Sequence, residues 1–281
     1  MSRSKININK KKLFDLYCNL GHSPKQIGKL FGCSSTTILN RLVEYGISKR
    51  SSSQARSRYT KLDFNGSVEL KAYMLGFALG DLNVYLPPSL NTETVVVRCH
   101  TTKRAQVDVV KELFEPYGGV RVSYNQRSDS YHINCFLNRS FDFLLGKGTN
   151  YWEWVTEKFS TSLAFATGYI DAEGSYGLNQ GRARFSLTSY DSDVLRWMSF
   201  WLTRIGISNK LRLLHEKGTE RRSDKHNNYV VWNGDCWRLN INIKSSLYRF
   251  ILLSLPYTKH RDRKRAAQVC KYNIDSRTRY V

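Results

Sequence analysis

The residues best placed to do chemistry are Asp171 and Glu173, which close the apolar run Ala166-Thr167-Gly168-Tyr169-Ile170-Asp171-Ala172-Glu173-Gly174 within residues 161–177. The run reads as a buried helix that stops at Gly174. An acid at a helix C-terminus opposes the helix dipole, and that cost points to a cationic companion such as a metal ion. The small residues Ala166, Gly168 and Ala172 leave room for a second backbone to approach.

A second copy lies upstream, in Met74-Leu75-Gly76-Phe77-Ala78-Leu79-Gly80-Asp81-Leu82-Asn83-Val84. With Gly76 aligned on Gly168, Asp81 falls on Glu173 and Gly80 on Ala172, and the two acids lie 92 positions apart. A helix ending in an acid, repeated at domain spacing, indicates an internal duplication. Paired helices would then bring one carboxylate each to a pseudo-two-fold axis.

These residues resemble the LAGLIDADG homing endonucleases. Gly168, Ile170, Asp171, Ala172, Glu173 and Gly174 match the motif. In the first copy Gly76 and Asp81 match, whereas Leu79 and Leu82 stand in place of the first acid and the last glycine. The resemblance spans roughly residues 68–272. It implies an α+β fold with a duplicated αββαββα unit and a monomeric enzyme that cuts both strands of a long DNA site. Asp81 and Glu173 would hold Mg²⁺ or another divalent cation such as Mn²⁺, helped by the carbonyls of Gly80 and Ala172. Asp171, whose counterpart is Leu79, is not expected to be a direct ligand. The family places a basic residue near each metal; by position these are Lys147 and Lys259, with Arg261 and Lys264 as rivals. Leu82 lacks the freedom of glycine at positive φ, so the turn after Asp81 is expected to aim its carboxylate differently from that of Glu173.

Composition agrees with a polyanionic partner. The net charge is +21, from 44 Lys/Arg against 23 Asp/Glu, and 41% of residues are hydrophobic. Nucleic acid fits this excess better than a membrane surface, and charge alone leaves RNA open beside double-stranded DNA. No apolar run is long enough to span a bilayer, and the basic start leads into no signal core. The six cysteines form no CxxC pair, so reduced thiols in an intracellular protein of a prokaryotic cytoplasm or an organelle are expected. His100, His132, His215, His226 and His260 form no HxxxH pattern and read as structural or phosphate-contacting.

The elements that must position these groups follow from periodicity. The first sixty residues hold twelve Lys/Arg and two Asp/Glu. Leu13, Leu16, Tyr17 and Leu20 give a helical face; Ser23-Pro24 starts a second helix, and Ser34 starts a third that Gly46 closes. The pattern looks like a helix-turn-helix over residues 1–50, with Ser35, Thr36, Thr37, Asn40 and Arg41 facing DNA. A basic, Ser-rich linker follows over 51–66, then duplicated halves at 67–158 and 159–281.

In the first half, strands are expected at 91–102, 120–125 and 130–137, with helices at 103–115 and 139–146. The second half repeats the order: strand 182–189, a helix 191–206 capped by Asp191, strands near 209–215, 228–232 and 236–243, a helix from 245 to 256, and a basic stretch after it. Sheets with one wet face would lay Arg98, Arg184 and Arg238 on DNA, joined by Arg261. The fold is also compatible with a DNA-binding regulator that has lost cleavage, kept open by Leu79 and Leu82, or with an RNA-splicing maturase. The resemblance implies an intron- or intergenic-encoded mobile element. The terminal SRTRYV lacks a His-Asn pair, so self-splicing is not expected.

Overall fold

The structure is a computed structural model and describes residues 8–50, 60–88, 93–145, 151–222 and 229–278. In the N-terminal segment α1 (Lys10–Phe14) runs into one wider π-type turn (Asp15–Asn19), followed by α2 (Pro24–Leu30) and α3 (Ser35–Glu44). Ser23 and Gln26 form a reciprocal capping box on α2, and the Ser34 hydroxyl accepts from Thr37 N–H at 3.1 Å to start α3. Ile8, Leu13, Tyr17, Ile27, Ile38, Leu42 and Ile47 close a small apolar core of their own. The linker expected at 51–66 lies mostly outside the described residues, which resume at Thr60.

The first half begins with α4 (Val68–Asp81), whose N-terminus is capped by the Ser67 hydroxyl. It continues through β1 (Asn83–Tyr85), β2 (Val95–Thr101), α5 (Arg104–Phe114), β3 (Gly119–Asn125), β4 (Ser130–Leu137) and a 3₁₀ segment (Arg139–Leu145). After a short α6 (Trp152–Thr156), the second half gives α7 (Phe159–Glu173), β5 (Gly174–Asn179), β6 (Arg182–Ser189), α8 (Ser192–Arg204), β7 (Lys210–His215), β8 (Glu220–Arg222), β9 (Tyr229–Val231), β10 (Cys236–Ile241), α9 (Lys244–Ser254) and α10 (Arg261–Thr278).

The two main sheets have the same antiparallel topology, β1-β2-β4-β3 and β5-β6-β10-β7, while β8 and β9 form a separate ribbon. The duplicated α+β architecture is therefore visible in strand order. Helices α4 and α7 are apolar on nearly every side, as a helix buried all round must be, and they pack against each other between the sheets. Tyr73, Phe77, Phe165, Tyr169, Phe185 and Phe250 are fully buried around them, each contributing about 2 kcal/mol by removing apolar surface from water.

Four details depart from expectation. β1 and β5 were not among the expected strands; they are short continuations of the chain directly after each acid-ending helix. Residues 139–145 form 3₁₀ rather than α turns. The basic stretch after residue 259 is the 18-residue helix α10, which among the described side chains buries only Ala267, Cys270 and Ile274, on the side packed against β5 and β6, too thin a stripe to stand out in a charged sequence. Asp191 precedes α8, but its side chain makes no cap hydrogen bond.

Candidate active site between the two long helices

Helices α4 and α7 meet through glycines. A Cβ added to Gly76 would lie 2.1 Å from the Phe165 carbonyl oxygen, and one added to Gly168 would lie 2.1 Å from that of Tyr73. At the C-terminal ends, a Cβ on Gly80 would lie 2.5 Å from the Ala172 Cβ and 3.1 Å from the Glu173 Cγ. The backbones are thus in direct contact up to the last turn, and Asp81 and Glu173 end beside each other.

Their electrostatics report that proximity. Loss of surrounding water and then the negative charge of Asp81 push the Glu173 carboxyl up to about 7, against a smaller opposite pull from Arg263. Asp81 is open to solvent yet sits in a protein-lined hollow. Partial loss of water raises its pKa, while the Gln106 amide and the charges of Arg263 and Lys103 lower it. Gln106, on α5, donates from Nε2 to Asp81 Oδ2 at 2.6 Å. The Glu173 side chain takes no hydrogen bond among the described residues.

Asp171 has a different place. It is fully buried, and its Oδ2 accepts from the Tyr73 hydroxyl (2.6 Å), Lys259 N–H (2.7 Å) and His260 N–H (3.0 Å). Burial raises its pKa to about 6, opposed by those hydrogen bonds. It therefore anchors the segment leading into α10, as an anion at a helix N-terminus does. The first turn of α10 in turn brings Arg263 to the acids, its Nη2 3.5 Å from the Ala172 carbonyl oxygen. Burial, then the charge of Arg263, holds His260 down at about 4.

The expected turn geometry does not hold. Gly174 has φ −76° and Leu82 has φ −111°, so both turns are extended and neither needs a glycine for positive φ. Gly174 is constrained by space instead: a Cβ would lie 2.7 Å from Ile170 Cγ2. The inequality between the acids is one of side chain and partner, a shorter Asp81 tied to Gln106 against a longer Glu173.

Of the basic residues expected at the acids, Lys147 lies outside the described residues. Lys259 turns its ammonium to Glu112 Oε1 at 2.6 Å, over the Tyr73 ring, rather than to the carboxylate pair. Arg261 is 73% exposed and sits 3.7 Å from Asp262. Among the described residues Lys103 acts on Asp81, and Arg263 is the cation that acts on both acids. Its sequence signal, one arginine among five Lys/Arg in residues 259–265, did not separate it from its neighbours.

The outward faces of the sheets are polar. In the first, one cross-strand row runs Asn83, Arg98, Asn134, Arg121. Arg98 donates to Asn134 at 3.1 Å and covers Tyr85 at 4.8 Å. Beside it Asp81, Asn83, Arg98, His100, His132 and Asn134 line a hollow of about 550 Å³. In the second, Thr188, Arg238 and Arg212 form one row, with Arg238 donating to Thr188 at 3.0 Å. Arg184 donates to the Asn242 carbonyl at 3.1 Å, beside Arg182 and Lys244. Arg121 and Arg212 were not singled out in sequence; strand parity is the signal that finds them. On α3, Ser35, Thr36 and Asn40 are exposed. Thr37 is drawn into the Ser34 cap and Arg41 pairs with Glu44. No helix among the described residues is long and apolar enough to cross a membrane.

Residues 160–252 match the family model described as a LAGLIDADG-like domain. No curated protein matches the chain. Among solved structures, mesophilic variants of the homing endonuclease I-DmoI are similar at 17% identity and a TM-score of 0.47, covering 67% of this chain and 90% of that one. I-DmoI in complex with DNA and Mn gives 15% identity and 0.45, over 66% and 96%. Full-length DUF199/WhiA from Thermatoga maritima gives 12% and 0.47, over 77% and 63%. Residues 160–252 therefore carry a LAGLIDADG-like domain, and the same strand order is built on both acid-ending helices of the chain.

Proposed function

We propose that the chain is a monomeric, site-specific double-strand DNA endonuclease, a homing endonuclease that hydrolyses one phosphodiester in each strand of a long site with a divalent metal. The observation that carries this reading is the meeting of Asp81 and Glu173 at the ends of two packed, pseudo-symmetric helices, each acid followed by the first strand of a basic-faced sheet.

The donors suit a hard cation. Asp81 and Glu173 offer carboxylates, Gly80 and Ala172 backbone carbonyls, and the Glu173 pKa, raised first by burial and then by the Asp81 charge, marks a place where a cation would favour the ionised form. Two carboxylates with backbone carbonyls leave coordination positions to water, which suits Mg²⁺ or Mn²⁺. When bound, such an ion supplies charge stabilisation at the phosphoryl group and acidifies a water. The chain's own residues do the positioning. Gln106 fixes the Asp81 carboxylate, Asp171 and Tyr73 hold the start of α10, and Arg263 offsets negative charge beside the acids. Arg98, Arg121, Arg184, Arg212 and Arg238 would contact phosphates and guanine edges in the major groove. Residues 1–50 would add a helix-turn-helix presenting Ser35, Thr36 and Asn40, joined through 51–66 to halves at 67–158 and 159–281.

Incubating the chain with a library of long duplexes and Mg²⁺ and mapping the new ends tests this. Defined double-strand ends that vanish in Asp81→Asn and Glu173→Gln, with binding retained, are expected. A second reading, a DNA-binding regulator without cleavage, is favoured by Leu79 in place of the motif's first acid and by Arg263, which partly offsets the charge of both acids. Tight duplex binding with no ends in Mg²⁺ or Mn²⁺ would select it, and preference for RNA over duplex DNA would select a maturase.

A further inference from the structure

We propose that His100 and His132 form an imidazole binding site for a transition-metal ion of the Ni²⁺, Zn²⁺ or Cu²⁺ class, in the hollow that Asp81 also lines and distinct in its ligands from the carboxylate pair. The two residues lie directly opposite each other on β2 and β4. Their rings are 4.4 Å apart between centroids at 45°. Both are exposed and both line the 550 Å³ hollow on the outer face of the first sheet. Facing residues on neighbouring strands project side by side, so two imidazoles there form a ready chelating pair.

A second observation concerns the tautomer. His100 Nε2 lies 3.0 Å from the hydroxyl of Ser130, which is 1% exposed and bonded onward to Ser128 at 2.7 Å. When the Ser130 hydroxyl donates to Ser128, its oxygen is free to accept the Nε2 proton of His100. The lone pair of His100 is then on Nδ1, away from Ser130. A ring nitrogen whose partner N–H is held by a hydrogen bond is the usual arrangement of a metal-ligating histidine. Imidazole selects transition metals over Mg²⁺ and Ca²⁺, so the ion taken here differs from the one suited to Asp81 and Glu173. Holding the second imidazole in place makes its binding intramolecular, worth on the order of a hundredfold in affinity over one imidazole. The other positions would be filled by water. The proposal does not depend on nuclease activity.

The experiment is calorimetric titration of the full chain with Ni²⁺, thiols kept reduced. One saturable site is expected in the wild type. His100→Gln and His132→Gln should each weaken it at least tenfold, while Glu173→Gln should leave it unchanged. Both histidines are exposed, and matching thermal melts without metal would establish that the variants fold; His100→Asn and His132→Asn serve if a glutamine variant does not. Retention of the site in both histidine variants, its loss in Glu173→Gln, or no saturable binding at all would overturn the proposal. Duplex cleavage can fail without touching this result, and the reverse also holds.

Discussion

Gly168→Ala is the sharpest test of the helix pair. The added methyl would stand 2.1 Å from the Tyr73 carbonyl oxygen, whereas an ordinary C···O contact is ~3.3 Å. The neighbour is helix backbone and cannot rotate away, so α4 and α7 must separate by about 1 Å. Overpacking of that kind costs about 3 kcal/mol, and the alanine recovers about 1 kcal/mol of helix propensity. The net loss of about 2 kcal/mol should lower the melting temperature by roughly 4–8 °C. Gly76 makes the reciprocal contact with Phe165, so separation forced by one alanine already relieves the other. The double variant should therefore lose little more than either single one, a coupling of about 2 kcal/mol. Thermal melts of the four proteins read both quantities. A Gly168→Ala melt within about 1 °C of wild type, or strict additivity in the double variant, would refute the reasoning. If the chain cuts DNA, the same displacement at Asp81 and Glu173 should slow cleavage by about a hundredfold.

Three further outcomes are expected. Glu173 is raised from the ordinary 4.5 to about 7 in the folded chain, so the unfolded chain gives up its proton first and metal-free stability falls as pH rises through that window. Melts at pH 5 and pH 8 in chelator should differ less in Glu173→Gln than in wild type, and an equal difference would sink the assignment. On a supercoiled plasmid with one site, the unequal acids should make nicked circles rise and then fall before linear DNA; direct conversion to linear DNA at every limiting metal concentration would count against it. Removing residues 1–60, which carry a net +10, should weaken duplex binding and flatten its salt dependence, whereas an unchanged footprint would show that the segment does not touch DNA.

Much of the architecture was legible because it is written in local patterns. Two apolar runs ending in an acid, with a glycine five residues before Asp81 and before Glu173, specify buried helices that touch closely, and α4 and α7 do. Strand 182–189 matches its expected bounds to the residue, with Ala183, Phe185 and Leu187 alternating against polar neighbours, and Ser23 and Ser34 announced their helices because a cap is a local hydrogen bond. What failed locally was what local signals cannot carry. β1 and β5 gain their strand character from pairing with β2 and β6, and α10 is a charged helix that only a partner surface reveals.

The sequence by itself determined that two carboxylates would sit at the ends of paired helices in a strongly basic, duplicated α+β chain, because residue type, spacing and charge are properties of the chain. Tertiary structure decided which groups surround them. Arg263 rather than Lys259 stands at the acids because Asp171 binds the backbone ahead of α10 across 88 positions of sequence. His100 and His132 become neighbours only through the register of β2 on β4. Gly174 is required by the space beside Ile170 and not by its φ. Each of these is a contact between distant segments, and such contacts are set by how the whole chain packs.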